Sequence, residues 1–127
     1  MLIDLYADFH NELRARQGLK PHKRGGYRKD VERCLSNDKI FLAEIDGDAV
    51  GFIRISEREG CYWIEEIYVK PEYLGKGIAK ELVKSAENYV KDRNAMGFWT
   101  RMGYRILNTI ELTKKLERGI KRGRYRC

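Results

Sequence analysis

The sequence predicts an α/β domain in which helices flank a mostly antiparallel sheet. Three observations carry this. Apolar residues recur at helical spacing near the N-terminus and again after residue 77. Between those helices, Asp46–Gly47–Asp48 separates two apolar runs as a hairpin turn would. A glycine-bearing stretch, Tyr73–Ala79, then joins a β-branched and aromatic run to a helix.

With 127 residues, 43% hydrophobic and 35% charged, the chain is read as one globular domain over 1–127, its last residues, 116–127, forming a basic tail. No window holds the roughly 18 to 20 apolar residues of a membrane span, and the N-terminus has no basic-then-apolar signal pattern, so the expectation is a cytoplasmic protein with no membrane partner. Cys34, Cys61 and Cys127 share no metal-like spacing, and no metal is expected. Cys34 and Cys61 are read as small hydrophobes. The net charge of +7 is uneven: residues 14–33 carry +6 and residues 114–127 another +6, leaving an acidic body. Such patches suit nucleic acid, an acidic acceptor or cofactor phosphates. The aromatic residues sit at core spacing instead of interleaving with the basic ones, which ranks nucleic acid last.

In order, Leu2, Leu5, Tyr6, Phe9 and Leu13 predict a first helix over 2–16, stopped by Gly18 and Pro21. Lys20–Arg28 reads as a loop, and Tyr27–Leu35 as a short second helix through Val31 and Cys34. Lys39–Asp46 and Ala49–Glu57 form the hairpin; Glu59–Gly60 turns the chain into Cys61–Val69, a third strand that Pro71 ends. Gly77–Asn94 is the next helix, with Ile78, Leu82, Ala86 and Tyr89 at core spacing. Ala95–Met102 repeats apolar residues at helical offsets, with Asn94 as its cap and Gly103 closing it, and Tyr104–Leu116 is strand-like.

Gly75 and Gly77 lie just where that long helix starts. The first amides of a helix lack intrahelical acceptors and carry the positive end of its dipole. Glycines let those amides approach an anion, and Lys76 and Lys80 add charge, so a phosphate or pyrophosphate site is expected. Neither the Walker pattern nor GxGxxG is present, which argues against ordinary NTP or NAD binding.

The run Ile64–Val90 (IEEIYVKPEYLGKGIAKELVKSAENYV), followed by Asn94–Tyr104 (NAMGFWTRMGY), resembles the GNAT superfamily of acetyl-CoA-dependent N-acetyltransferases over roughly Lys39 to Leu116. The family writes its loop Gln/Arg-x-x-Gly-x-Gly/Ala. Leu74, Gly75, Lys76, Gly77, Ile78 and Ala79 fill those places, with Leu74 replacing the polar residue. The resemblance implies acetyl-CoA as co-substrate, its pyrophosphate on the amides of Gly75–Lys80, and its pantetheine arm along the backbone of Ile67, Tyr68 and Val69. Asn94 matches an asparagine that contacts the coenzyme. The implied reaction is direct acetyl transfer to a primary amine of a small molecule or protein.

That chemistry needs a deprotonated amine and a protonated leaving thiolate. Glu65 and Glu66 lie on the strand beside the expected thioester, and alternation lets only one face the cleft. Family members acting on small amines carry a similar acidic pair, and by that match Glu65 is the amine-binding residue or base. The family's frequent tyrosine acid is replaced by Trp99, whose indole cannot protonate a thiolate, so Tyr68 and Tyr104 are the substitutes. Relative to the family the chain is shortened. By the resemblance, the family's first strand is expected to be absent, and a strand with its loop to be missing after the coenzyme helix. Either Ala95–Thr100 serves as a shortened strand, or a second subunit closes the sheet as a homodimer. The alternative function is a catalytically degenerate coenzyme-A-binding domain.

Overall fold

The computed structural model describes residues 2–93, together with Gly97–Thr100 and Lys121–Arg122 as strands only. Helix α1 spans Leu2–Arg16, as its apolar spacing predicts. A 3-10 turn, Arg24–Tyr27, interrupts the expected loop and leads into α2, Arg28–Asn37. Strands β1 (Lys39–Ile45), β2 (Asp48–Arg58) and β3 (Cys61–Val69) follow, then a 3-10 turn at Pro71–Tyr73 and helix α3, Ile78–Asp92.

β1, β2 and β3 are antiparallel neighbours, and β4 (Gly97–Thr100) and β5 (Lys121–Arg122) extend the sheet in parallel in the order β1-β2-β3-β4-β5. Two expectations are corrected here. Residues 97–100 form a strand where the spacing predicted a helix. Four residues are too few for a period to decide, and Phe98, Trp99 and Thr100 are side chains that favour a pleated sheet. The segment is thus the shortened strand after α3, not a missing one. Lys121–Arg122, read as tail, pairs with Trp99 and Thr100. The expected strand Tyr104–Leu116, with Met102, Gly103, Tyr104 and Asn94, lies outside the described residues.

Each face of the sheet carries one core. Against α3 pack Ile53, Ile55, Ile64, Ile67 and Val69, meeting Leu82, Val83 and Ala86. Against α1 and α2 pack Phe52 and Tyr68, meeting Leu5, Tyr6, Phe9 and Val31. Cys34 is a buried free thiol in that second core, as expected, whereas Cys61 is disulfide-bonded and not the small hydrophobe its aromatic strand suggested.

Two irregularities bend the sheet. On β2, Val50 is an extra residue between the pairs Ala43–Gly51 and Glu44–Ala49; its carbonyl accepts the N–H of Lys70 at 2.9 Å. On β3, Ile64 pairs with Ile55 and Glu66 with Arg54, so Glu65 is the extra residue of a bulge. The bulge puts Ile64 and Ile67 on the α3 face and Glu66 and Tyr68 on the α1 face.

Candidate active site

Among the described residues, strand β4 accompanies β3 from Cys61 to Ile64. The bulge begins at the next residue. Beyond it, no strand among the described residues pairs with β3 from Ile67 to Val69 on that side. Ile67, Tyr68 and Val69, expected to bond a pantetheine arm, form this last stretch of β3, their side chains buried in the two cores.

That stretch runs into the glycine loop. Gly75 and Gly77 both adopt left-handed φ, +78° and +79°, and a Cβ added to either would meet nothing within 4 Å. The glycines here serve the backbone turn and leave space over it. Gly77 caps α3 without any side-chain bond, and the first N–H to close the helical ladder is that of Glu81, to Gly77 O at 3.1 Å. The amides of Ile78, Ala79 and Lys80 precede it and have no intrahelical acceptor. Lys76 stands over the Tyr73 ring, its Nζ 5.3 Å from the centroid, and Leu74 is exposed. An anionic group followed by an extended amide chain fits this sequence of cradle and strand.

On the opposite face of the bulge lies a buried charge chain that the sequence did not reveal. Glu66 is fully buried. His10 Nε2 donates to its Oε2 at 2.6 Å, and Arg54 Nε donates to its Oε1 at 2.6 Å. Arg54 Nη1 reaches on to Asp38 Oδ2 at 2.6 Å. Burial pushes the Glu66 carboxyl up, but the His10 hydrogen bond and the Arg54 charge outweigh it and hold it below the usual carboxylate range. Burial alone would lower the Arg54 guanidinium; Glu66 and Asp38 together raise it. Glu66 is thus a committed ion-pair partner. Glu65, the residue preferred as base, is half-buried at the bulge, with its Oε1 accepting from Ser56 Oγ at 2.8 Å.

Tyr68 faces α1, its ring 5.4 Å from that of Phe9. Burial, with the nearby charges of Glu12, Asp8 and Glu72, pushes its phenol up to about 12, so it keeps its proton at neutral pH. Asn94 lies outside the described residues. The signal for His10 was present in the helix: it stands four residues after Tyr6 and three before Leu13, at the margin of the apolar stripe.

The family model described as the acetyltransferase (GNAT) family matches residues 2–106. The chain belongs to the GNAT family. An uncharacterized N-acetyltransferase from Archaeoglobus fulgidus is 42% identical to this GNAT chain over 69 residues, covering 47% of each. The chain thus spans about half the length of that relative. A Staphylococcus aureus protein described as a GNAT family acetyltransferase superposes with a TM-score of 0.58 at 29% identity, over 85% of this chain and 90% of that one. The PaiA N-acetyltransferase of Thermoplasma acidophilum, solved in complex with coenzyme A, gives a TM-score of 0.56 at 21% identity over 74% of this chain and 66% of that one, a likeness of fold. The mixed sheet flanked by helices is therefore the GNAT architecture.

Proposed function

We propose that this GNAT chain is an N-acetyltransferase that passes the acetyl group of acetyl-CoA directly to a primary amine. The observation that carries the reading is the passage of Ile67–Val69, at the end of β3, into a glycine loop and a helix start whose first amides have no intrahelical acceptor. Gly75 to Lys80 would hold the pyrophosphate through backbone N–H groups, Lys76 and Lys80 adding charge, with Leu74 offering only apolar contact. Ile67, Tyr68 and Val69 would hold the pantetheine amides as an added strand would. Acetyl-CoA supplies the thioester: the C–N bond forms, the C–S bond breaks, and free thiol and one proton are released.

The chain's own residues prepare the amine. Glu65 at the bulge draws the ammonium toward β3, and, with Tyr68 turned into the α1 core, the sulfur leaves as the thiolate and takes its proton from water. A homodimer belongs to the same proposal, and light scattering on the purified chain tests it.

Incubation with acetyl-CoA and a panel of primary amines, read by free thiol, tests the activity. Thiol release that depends on amine and enzyme is expected. Leu74 and Trp99, which depart from the family pattern, favour a second reading, a coenzyme-binding domain without turnover; calorimetric binding of coenzyme A with no thiol release from any amine would select it.

A further inference from the structure

On the α1 side, an open cleft of about 270 Å³ is lined by His10, Arg14, His22, Gly26, Tyr27 and Asp30. At its floor, the His10 imidazole is 21% exposed, and its Nε2 is taken by the buried Glu66 carboxylate. The ring is held further by Tyr6, at 4.2 Å, and Tyr27, at 5.9 Å between centroids. A carboxylate on one ring nitrogen sets the tautomer and leaves the other, Nδ1, with a lone pair. Arg14 uses its Nε to donate to Lys20 O at 2.7 Å, and its terminal nitrogens form no ion pair among the described residues. His22 is anchored through its backbone N–H to Asn11 Oδ1 at 2.9 Å, and its ring stands edge-on to Tyr27. Tyr27 Oη donates to the same Asn11 oxygen at 2.6 Å, which fixes this wall.

The charge around the cleft selects its ligand. Glu66 is neutralised internally by Arg54 and hydrogen-bonded by His10, so the acidic pair on β3 does not present two carboxylates to a polyamine. Asp30 is shared with Arg33 at 3.0 Å. Arg24 is spent on Asp4 and Asp8, but Arg14, Lys20, Lys23, Arg28 and Lys29 leave the surrounding segment positive. A plain cation is repelled here, whereas an anionic group finds a guanidinium and an imidazole side by side.

We propose that this cleft is the acceptor site, taking a small primary amine that also carries an anionic group. Arg14 and His22 hold the anion, and His10 is a catalytic base. The ammonium gives one proton to Nδ1 of His10, the imidazolium is stabilised by Glu66 on its far side, and the proton passes to water in the open cleft. The nitrogen, now holding a lone pair, is the nucleophile. This assignment rests on the acetyl-transfer reading for its chemistry, but its binding claim stands without it.

The chain has two histidines, so ring ¹H–¹³C NMR resolves both, with His10→Gln and His22→Gln variants assigning them. O-phosphoethanolamine is expected to move both ring signals in a saturable manner, while propylamine moves neither. Kinetically, kcat/KM for O-phosphoethanolamine should exceed that for propylamine at least about tenfold, and Arg14→Gln should erase that preference through KM. His10→Gln should lower kcat about a hundredfold for either amine, with coenzyme A affinity unchanged. Thiol release without ring shifts or amine preference would overturn the cleft assignment and leave acetyl transfer standing. Ring shifts with no thiol release from any amine would overturn acetyl transfer, and the base role of His10 with it, and leave the cleft as an amino-anion site.

Discussion

The guanidinium of Arg54 binds the carboxylate of Glu66 through Nε at 2.6 Å, directly across the β2–β3 pairing and with Glu66 fully buried. Removing one member of such a pair strands a charge away from water. Arg54→Met is expected to cost about 3 kcal/mol, and Glu66→Gln a similar amount. The double change to Met and Gln should cost less than the sum of the single changes, because no unpaired charge is left. Urea melts of the three variants measure this.

The same pair predicts the response to acid. The folded-state pKa of Glu66 is lowered from the ordinary 4.5, so its contribution to stability is complete above that value and is lost as pH falls through the folded value. The urea midpoint should drop below about pH 4.5 in the natural chain. Glu66→Gln, which cannot titrate, should show a shallower fall over the same interval.

Much of this framework is legible in the sequence where local chemistry is decisive. α1 ends before Gly18, and β3 ends before Pro71, because those residues stop the preceding pattern. Two features escape such reading for physical reasons. Alternation says that Glu65 and Glu66 face opposite sides, but a bulge breaks the alternation, so which one is buried depends on pairing with β2. The charge chain from His10 through Glu66 and Arg54 to Asp38 joins three elements and the connection between α2 and β1, and no spacing rule reports it.

Gly51 predicts a steric cost. A Cβ there would lie 2.8 Å from the carbonyl oxygen of Tyr68, a backbone atom with little room to retreat. Gly51→Ala should force β2 and β3 apart and destabilise the fold by roughly 1–3 kcal/mol, read as a lower denaturation midpoint.

The glycine loop predicts opposite outcomes for neighbouring changes. Leu74 is exposed beside the cradle, and Leu74→Arg should tighten coenzyme A binding about threefold to tenfold by adding a charge-assisted hydrogen bond to phosphate. Gly77→Ala places a side chain at φ +79°, which costs about 1–2 kcal/mol and tilts the amides, so binding should weaken. Calorimetry with coenzyme A reads both, and equal affinities across the three proteins would count against a cradle at this helix start.

The bulge on β3 also makes Glu65 a supernumerary residue. Remove it, and Ile64 and Glu66 become ordinary neighbours on opposite faces, still opposite Ile55 and Arg54, with Ile67, Tyr68 and Val69 kept in their present cores. A single-codon deletion at position 65 should therefore yield a chain that folds, with the β2–β3 register regular past Ile55 and Arg54. At this position architecture and activity are separable, and the strand carries one more residue than its two cores require.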